Sequence, residues 1–352
     1  MVTKIVKVDP LSPKDEYIRE AASVIAGGGL VIIPTETVYG IAVNAKDDKA
    51  IDRLYEIKKR PRDKMLSLHI AKKLAIRDFA LDIPIAAYKL IGKFWPGAMT
   101  LVLKSKEGGT VGLRMPDNEV ALEVIFASGV PVYCPSANIT GKPAPGDFES
   151  AIKDLEGKID FAIDAGKTKM GIESTVVDLS VVPPKILREG AIKGEEILKA
   201  VNTKNILFVC TGNSCRSVMA EAVLKKKLKE KNIDNVEVSS AGIMMLGGMG
   251  ASEMTRFVLK KEGIDVSGHR SRGLSPELID GSDIILVMER LHEKRIMELA
   301  PEAKTRVFLL KEFAKIQDND LDISDPIGST EEFYAETLGV IKQAVERIVD
   351  LI

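Results

Sequence analysis

Cysteine and excess charge of either sign are both scarce in this chain of 352 residues. Its three cysteines, Cys134, Cys210 and Cys215, are too few for a disulfide framework and lack the paired spacing of a structural zinc site. We therefore expect reduced thiols. The 50 Lys and Arg residues against 51 Asp and Glu give a net charge of −1, which removes the broad basic field that non-specific nucleic-acid binding needs. A local anion site is still compatible with this balance.

Long hydrophobic runs are absent as well. The opening residues MVTKIVKVDP lack the basic-then-apolar pattern of a secretory signal, and no stretch approaches the roughly eighteen apolar residues that a membrane span needs. We therefore expect a cytoplasmic protein with no membrane partner. Hydrophobic residues at 45% and charged residues at 29% are ordinary globular values, and they exclude a disordered chain.

The length and the order of the expected elements indicate two α/β domains. In the first, strand-like runs follow one another at irregular intervals, which favours a mixed sheet. In the second, buried strands alternate regularly with helices, which favours a doubly wound parallel sheet. Polar residues at 202–205 separate the two patterns. We place the first domain at residues 1–200 and the second at 204–352.

The sharpest motif is CTGNSCRS, Cys210 to Ser217, between an apolar strand and a predicted helix. A loop of this length at a helix N-terminus can aim successive backbone N–H groups at one point, and Gly212 is expected to permit a positive φ. Arg216 adds a planar two-pronged donor for phosphate oxygens, and Ser217 can cap the helix while bonding the sulfur. Because these donors favour the ionised form of Cys210, the motif predicts a thiolate nucleophile in a cradle for a dianion.

A phosphoryl group in such a cradle also needs a proton donor for its leaving group. Asp325 in DISDPIGST is the candidate, because Pro326 stiffens a loop that could carry the carboxyl over the cradle. A plain Asp-Pro turn is the alternative interpretation.

The second half resembles the low-molecular-weight protein phosphatases over about residues 205–352. The resemblance rests on VCTGNSCRSVMAEA, SSAGI at 239–243, GIDVSGHRSR at 263–272, the strand DIILVM and the Asp-Pro pair. It implies a phosphocysteine mechanism without a metal cofactor. In that mechanism Cys210 is the nucleophile, Arg216 and the loop amides clamp the transition state, and Asp325 is acid and later base. The implied phosphate loop comprises Thr211, Gly212, Asn213, Ser214, Cys215 and Ser217, with Asn213 and Ser217 ordering it.

The same resemblance bears on Cys215 and on the substrate. It implies that Cys215 could form a reversible disulfide with Cys210, although a small buried side chain is an equal interpretation. Tyrosine-directed members place aromatic residues after the Asp-Pro pair, whereas this chain has Ile-Gly-Ser-Thr at 327–330. Ser214 lies where the protein-arginine phosphatase branch commonly has Thr. We therefore expect phosphorylated proteins, specifically phosphoarginine, as substrates, with a protein-tyrosine phosphatase as the alternative.

In the first half, polar clusters follow several strand-like runs. They are PTETVYG at 34–40, KKRPRDK at 58–64 and SAN at 136–138, with Arg114 and Arg188 each ending a further run. Side chains at strand ends are typical of ligand sites, and these cations could hold a polyphosphate. A solvated helix end is the alternative for Lys58 and Arg60, and a satisfied strand histidine is the alternative for His69.

This half resembles the YrdC-type threonylcarbamoyl-AMP synthases over about residues 12–198. The resemblance rests on the ordered set PTETVYG, KKRP, LSLHI, WPG, LRMP, CPSANITG, ESTVVD and LREG. It implies that L-threonine, bicarbonate and ATP become threonylcarbamoyl-adenylate and pyrophosphate. The threonylcarbamoyl-adenylate is the donor used by the tRNA-modification machinery for t6A37. Carried over by position, the ATP contacts would be Lys58, Arg60, Thr110, Ser136, Asn138 and Arg188. The threonine contacts would be Thr35, His69, Arg114 and Ser174.

The chemistry of ATP leads us to expect Mg²⁺ on the phosphates, with no protein metal site. The leading hypothesis is thus a bifunctional enzyme that joins a synthase to a cysteine phosphatase. Its rival treats the first half as a nucleotide- or RNA-binding module. The neutral charge and the lack of interleaved aromatic and basic residues oppose that rival.

Overall fold

The structure is a computed structural model that describes residues 2–10, 12–244 and 247–352. Throughout these residues, no helix combines the length and the apolar character that crossing a membrane requires.

The chain divides into two compact units. The first unit consists of Met1–Ile83 and Leu90–Leu198, and the second consists of Pro84–Lys89 and Lys199–Ile352. The short segment Pro84–Lys89, which the sequence analysis places in the first domain, therefore groups with the second unit.

Ten strands of the first half form one mixed sheet. They are β1 (Lys4–Lys7), β2 (Val31–Ile33), β3 (Gly40–Asn44), β4 (Ser67–His69), β5 (Met99–Lys104), β6 (Thr110–Arg114), β7 (Val132–Tyr133), β8 (Phe161–Asp164), β9 (Thr175–Asp178) and β10 (Lys185–Arg188). Their order in the sheet is β1-β8-β2-β3-β7-β4-β6-β5-β9-β10. The pairs β1–β8, β2–β8, β4–β6 and β5–β9 are parallel and the other pairs are antiparallel, so the predicted mixed sheet is confirmed.

Helices alternate with these strands along the chain. They are α1 (Asp15–Ala26), α2 (Asp48–Lys58), α3 (Ile76–Phe79), α4 (Ile85–Phe94), α5 (Glu119–Ser128), α6 (Phe148–Ile152) and α7 (Gly194–Val201). Alternate residues of β2 point to opposite faces, because side chains of a strand alternate. Val31 packs in a core cluster with residues of α1 and α5, and Ile32 packs in a second cluster with residues of α2 and α6.

The ends of the first two helices follow the sequence signals. Gly28, just beyond α1, has a φ of 82°, the left-handed conformation that glycine commonly adopts after a helix. The side chain of Asp47 accepts a hydrogen bond from the Ala50 amide at 3.0 Å and caps α2.

Strand register gathers the polar residues of this half at one place. His69 of β4 pairs with Arg114 of β6, and Gly40 forms an isolated bridge with Ser136. Ser174 immediately precedes β9. Residues far apart in the sequence thus meet where several strands begin or end.

The second half contains a separate sheet of four parallel strands. They are β11 (Lys204–Cys210), β12 (Val236–Gly242), β13 (Ile284–Val287) and β14 (Val307–Leu309), in the order β12-β11-β13-β14. The helices are α8 (Arg216–Glu230), α9 (Glu253–Lys261), α10 (Pro276–Asp280), α11 (Arg290–Leu299), α12 (Leu310–Phe313) and α13 (Glu331–Val349). The predicted parallel sheet is confirmed. Because chain order reverses beside β11, a crevice is expected at its carboxyl end, where Cys210 lies.

Helix α11 is one element that the sequence analysis did not predict. Its N-cap is Glu289 and its third residue is His292, and each side chain accepts a hydrogen bond from the other residue's backbone N–H. This is a capping box built from Glu and His, whereas the usual signature begins with Ser or Thr and has Glu or Gln three residues later. A search for the usual signature therefore misses it.

Candidate active sites

A cavity of about 360 Å³ opens at the strand ends of the first unit. Eight of the ten residues predicted to bind ATP or threonine line it, namely Thr35, Arg60, His69, Thr110, Arg114, Ser136, Ser174 and Arg188. The other two residues form hydrogen bonds with Ser136, which is part of the cavity wall. Lys58 donates to the backbone of Ser136, and the side chain of Asn138 accepts a hydrogen bond from the Ser136 hydroxyl at 2.6 Å.

Arg114 is buried in this wall, with only 5% of its surface exposed. Its Nη2 donates to Oε1 of Glu36 and to the hydroxyl of Thr37, both at 2.7 Å. The other Glu36 oxygen accepts from the Asp117 amide at 3.0 Å, which fixes the carboxylate. The Arg114 Nε is buried and has no hydrogen-bond partner. Since buried donors are nearly always paired in proteins, this N–H is free for a bound anion.

The positive charge of Arg114 acts on the side chains of His69 and Cys134, and both side chains are uncharged at neutral pH. Burial, followed by the positive charge of Arg114, lowers the pKa of His69 to about 3. Burial raises the pKa of Cys134 to about 12. Cys134 therefore lines the cavity as a thiol. His69 can offer a neutral imidazole, whose Nδ1 lies 3.4 Å from the Ser67 carbonyl.

The hydroxyls predicted for threonine binding are held by neighbours. Thr35 Oγ1 donates to the Val38 carbonyl at 2.6 Å and lies 2.9 Å from the Thr37 hydroxyl. Ser174 Oγ lies 3.0 Å from the hydroxyl of Thr100. The site therefore presents oriented hydroxyls beside a buried guanidinium.

Lys58 does not form a solvated helix end, because only 1% of its surface is exposed. Its ammonium donates to the carbonyls of Ser136 and Asn138, the latter at 2.6 Å. Burial, followed by the charge of Arg60, lowers the pKa of Lys58 to about 8. The lysine therefore fixes the 136–138 loop against α2 and titrates close to physiological pH.

Two more cations complete the wall. Arg188 donates from Nη1 to Glu173 at 2.7 Å and from Nε and Nη2 to the Ser174 carbonyl at 3.1 and 2.8 Å. Arg60 donates to the carbonyls of Lys64 and Met65 at 3.1 and 2.7 Å. Each guanidinium thus lines the cavity while being held by its own loop, which suits a site for several phosphate groups.

In the second unit, the loop between β11 and α8 has two features that correct the sequence analysis. The positive φ lies at Asn213, at 53°, whereas Gly212 does not have one. Ser217 does not cap α8, because it is the second residue of that helix and the N-cap is Cys215, which makes no side-chain cap bond. The Ser217 hydroxyl lies 3.0 Å from the Cys210 sulfur, which agrees with the contact expected from the sequence.

Asn213 explains the left-handed turn, because asparagine tolerates this conformation when its side chain can bond locally. Its Nδ2 donates to the hydroxyls of Ser217 at 3.0 Å and Ser240 at 2.7 Å. Its Oδ1 accepts from the Arg272 amide at 3.0 Å. Gly242 supports the same turn from β12, since a Cβ there would lie 2.9 Å from the Asn213 nitrogen. The loop is therefore shaped by a network that reaches well beyond the motif.

Arg216 is buried, as Arg114 is, with 1% of its surface exposed. Nη1 donates to Glu289 at 2.6 Å and to the Ile323 carbonyl at 2.7 Å. Nη2 donates to the hydroxyl of Thr211 at 3.1 Å and to Asp325 at 2.5 Å. These bonds use all four Nη hydrogens, and the buried Nε has no hydrogen-bond partner. The predicted clamp and the predicted acid are thus in direct contact.

Cys215 lies among hydroxyls. Its sulfur is 3.4 Å from the Ser252 hydroxyl and 3.6 Å from the Tyr334 hydroxyl. All three cysteines are free thiols, so a pairing of Cys210 with Cys215 stays a prediction.

Several residues of these sites were not predicted as site residues. Glu36 and Ser240 lie inside motifs already quoted, PTETVYG and SSAGI, so the motifs contained them without indicating their roles. Glu289 caps α11 and His292 lies on it, and both are outside any quoted motif. Only the three-dimensional contacts identify them as parts of the second site.

Comparison with protein-family models gives two matches. The Sua5–YciO–YrdC family, described as telomere recombination, matches residues 23–190. The low molecular weight phosphotyrosine protein phosphatase family matches residues 205–352.

Individual proteins are similar to one half or the other. A threonylcarbamoyl-AMP synthase of Pyrococcus abyssi is 44% identical over 212 residues, which are 58% of this chain and 62% of that protein. The chain thus spans less than two thirds of the length of that relative. A protein-arginine-phosphatase of Geobacillus stearothermophilus is 41% identical over 145 residues, covering 41% of this chain and 93% of that protein. The solved structure of P. abyssi Sua5 complexed with L-threonine has a TM-score of 0.55 at 30% identity, covering 87% of this chain and 99% of that one.

Proposed function

Because the chain belongs to the Sua5–YciO–YrdC family in its first half and to the low molecular weight phosphatase family in its second, we propose that it is an enzyme with two activities. The first forms L-threonylcarbamoyl-adenylate from L-threonine, bicarbonate and ATP. The second hydrolyses phosphoarginine in proteins.

The observation that carries the first activity is the cavity with the unpaired Nε–H of Arg114. A free amino acid bound there needs a partner for its carboxylate, and a planar guanidinium supplies a directed donor. The neutral His69 and the hydroxyls of Thr35 and Ser174 would bind the rest of threonine. The relative with bound L-threonine supports this choice of amino acid.

The reaction then needs position and charge more than a strong base. The threonine nitrogen and bicarbonate form a carbamate with loss of water, and a carbamate oxygen attacks the α-phosphorus of ATP. The bond from that phosphorus to the bridging oxygen breaks, and pyrophosphate leaves with the electron pair. Arg60, Arg188 and Lys58 would balance its negative charge, while Thr110, Ser136 and Asn138 would position ATP.

Mg²⁺ would accompany ATP as its counterion. Within the described parts of the chain, no three His, Cys, Asp or Glu side chains are grouped as metal ligands. The phosphates themselves would therefore carry most of the ligands to Mg²⁺.

A pyrophosphate-release assay tests the first activity. We expect pyrophosphate from ATP only when L-threonine and bicarbonate are both present, with L-serine as the matched control substrate. RNA binding without threonine-dependent pyrophosphate release would instead favour a nucleotide- or RNA-binding module. The product would be expected to feed tRNA modification at adenosine 37.

The observation that carries the second activity is the buried Arg216 with its free Nε, which begins α8 at one end of the loop while Cys210 ends β11 at the other. The sulfur would attack phosphorus in line, the bond from phosphorus to the leaving group would break, and Asp325 would donate its proton to that group. Water would then attack the phosphocysteine, Asp325 would take its proton, and phosphate would leave with Cys210 restored.

Replacement of Asp325 tests its role in these two steps. We expect Asp325→Ala to lower kcat about a hundredfold and to let the phosphocysteine accumulate, detected by mass spectrometry after a rapid acid quench. Asp320→Ala is a matched control on an exposed carboxylate of the same loop region. An unchanged rate would remove Asp325 from the mechanism.

Phosphoarginine is proposed as the substrate because the exposed Ile327 follows the Asp-Pro pair where an aromatic ring would favour phosphotyrosine. The similarity to a protein-arginine-phosphatase supports this choice. Hydrolysis of matched peptides carrying phosphoarginine or phosphotyrosine decides it. A higher kcat/KM for phosphotyrosine would favour the alternative, a protein-tyrosine phosphatase.

A further inference from the structure

His292 is a buried histidine outside the quoted motifs, and it contacts the phosphate loop. It belongs to α11, none of its surface is exposed, and its Nε2 lies 3.0 Å from the Thr211 hydroxyl. On the other side of the ring, Nδ1 accepts a hydrogen bond from the Glu289 amide at 3.0 Å. Both ring nitrogens therefore have partners that are fixed by the fold.

These partners determine the protonation of the ring. An Nδ1 that accepts from a backbone N–H carries no proton, so the proton of the neutral imidazole is on Nε2. Burial, followed by the charge of Arg216, lowers the pKa of His292 to about 4. His292 is thus a neutral donor at physiological pH, and the 3.5 Å separation of its Nε2 from Glu289 is not an ion pair.

Thr211 receives two hydrogen bonds at one oxygen. One comes from the His292 Nε2–H and the other from Arg216 Nη2 at 3.1 Å. Two accepted bonds use both lone pairs of a hydroxyl, so its position is strongly restrained. The hydroxyl therefore links α11 to the guanidinium.

This link matters because the other partner of Arg216 Nη2 is Asp325. In the proposed reaction Asp325 must move toward the leaving group, since a general acid acts within hydrogen-bond reach of the atom it protonates. Once it does so, Thr211 is the remaining protein group that holds Nη2 and so keeps the free Nε–H aimed at the phosphoryl group.

We propose that His292 is a positioning residue for phosphoryl transfer, acting through the Thr211 hydroxyl on the orientation of Arg216. The proposal rests on the proposed phosphatase activity. It assigns His292 no proton transfer and no contact with the substrate.

The test compares five variants of the full chain, one of them a control, with p-nitrophenyl phosphate as substrate. Thr211→Val removes the acceptor but keeps the shape, and His292→Ala removes the donor. Each should lower kcat about tenfold and change KM less than about twofold, because orientation matters most in the transition state. The double variant should be no slower than the slower single variant, since both break one link.

His292→Gln separates this role from a structural one and from acid–base catalysis. Glutamine can accept from the Glu289 amide and donate to Thr211, so its kcat should lie within about threefold of wild type. Its pH–rate profile should keep both limbs. Thr337→Val is the matched control, because it removes a buried hydroxyl bonded to the Phe333 carbonyl on α13, away from Arg216.

Three results would overturn the proposal: wild-type kcat in Thr211→Val, additive losses in the double variant, or loss of a pH limb in His292→Gln. If wild type hydrolyses no phosphoester, the proposed function fails and calorimetric binding of inorganic phosphate decides the inference. Thr211→Val should then weaken that binding about fivefold. An unchanged affinity would contradict it.

Discussion

The two buried arginines, Arg114 and Arg216, sit in sites with the same local chemistry and different construction. In each, Nη atoms donate to a carboxylate and the buried Nε has no hydrogen-bond partner. The carboxylate of Glu36 beside Arg114 is buried, whereas 32% of the Asp325 side chain beside Arg216 is exposed. A buried carboxylate whose two oxygens both accept hydrogen bonds is fixed, and a partly exposed carboxylate can move.

In the proposed function, this difference separates a binding site from a catalytic one. Glu36 offsets the charge of Arg114 permanently, which leaves one directed N–H for the ground state of an anionic substrate. Arg216 shares its partner with the proposed proton transfer, so its interactions change during the reaction. Only interactions that strengthen in the transition state accelerate a chemical step.

The largest expected effect comes from a substitution that should abolish one activity and leave the other unchanged. Cys210→Ser should lower phosphatase kcat at least about a thousandfold, because a serine hydroxyl stays protonated where a thiolate attacks. Threonine-dependent pyrophosphate release should stay at the wild-type rate. Both assays should be run on one preparation of each protein. Loss of both activities in Cys210→Ser would mean that the two sites are not independent.

Replacing each arginine by lysine sharpens the comparison directly. Lysine keeps the charge and loses the planar fork, so both variants lose the directed Nε–H. Arg216→Lys should lower phosphatase kcat about a hundredfold with a smaller change in KM. Arg114→Lys should raise the KM for threonine about tenfold with kcat nearly constant. If both variants changed the same kinetic parameter, the distinction between binding and catalytic arginines would be lost.

Lys58 extends the comparison to a cation that can titrate. Lys58→Ala should lower kcat/KM for ATP about tenfold, while Lys49→Ala, at an exposed position of α2, should not. Since the pKa of Lys58 is about 8, its positive charge is lost as the pH rises through that value. The kcat/KM for ATP should therefore fall above pH 8 in wild type and not in Lys58→Ala. A flat wild-type profile between pH 7 and 9 would contradict this role.

More of the second site than of the first could be predicted from the sequence, and the reason is physical. The Cys210–Ser217 loop is contiguous, so strand, loop and helix could be placed from one motif. Its details were wrong where they depend on partners outside it. The left-handed residue is Asn213 because Ser240 and the Arg272 amide bond its side chain.

The first site had to be assembled from separate motifs, and its geometry depends on strand register. Pairing of His69 with Arg114 requires β4 and β6 to be neighbours, which no local pattern indicates. The burial of Lys58 was not predictable either, since a Lys at a helix end is ordinarily solvated. Resemblance supplied the residue identities, and only the fold supplies the unpaired Nε–H groups.

The smallest expected effect concerns acid stability, where the two units should behave alike. The pKa values of His69 and His292 are lowered to about 3 and about 4 from an ordinary value of 6.5. Such a histidine takes up a proton at mildly acidic pH only after unfolding, so the unfolded state binds more protons and stability falls as the pH drops below 6.5. Between pH 7 and 5.5, each histidine should remove about 1 kcal/mol from the free energy of unfolding.

Urea unfolding of wild type and His292→Gln, followed by loss of each activity, measures this. The substitution should abolish the acid sensitivity that His292 contributes to the second unit and leave that of the first unchanged, because His69 is untouched. Equal acid sensitivity of the second unit in both proteins would mean that other groups, not the buried imidazole, set its response to pH.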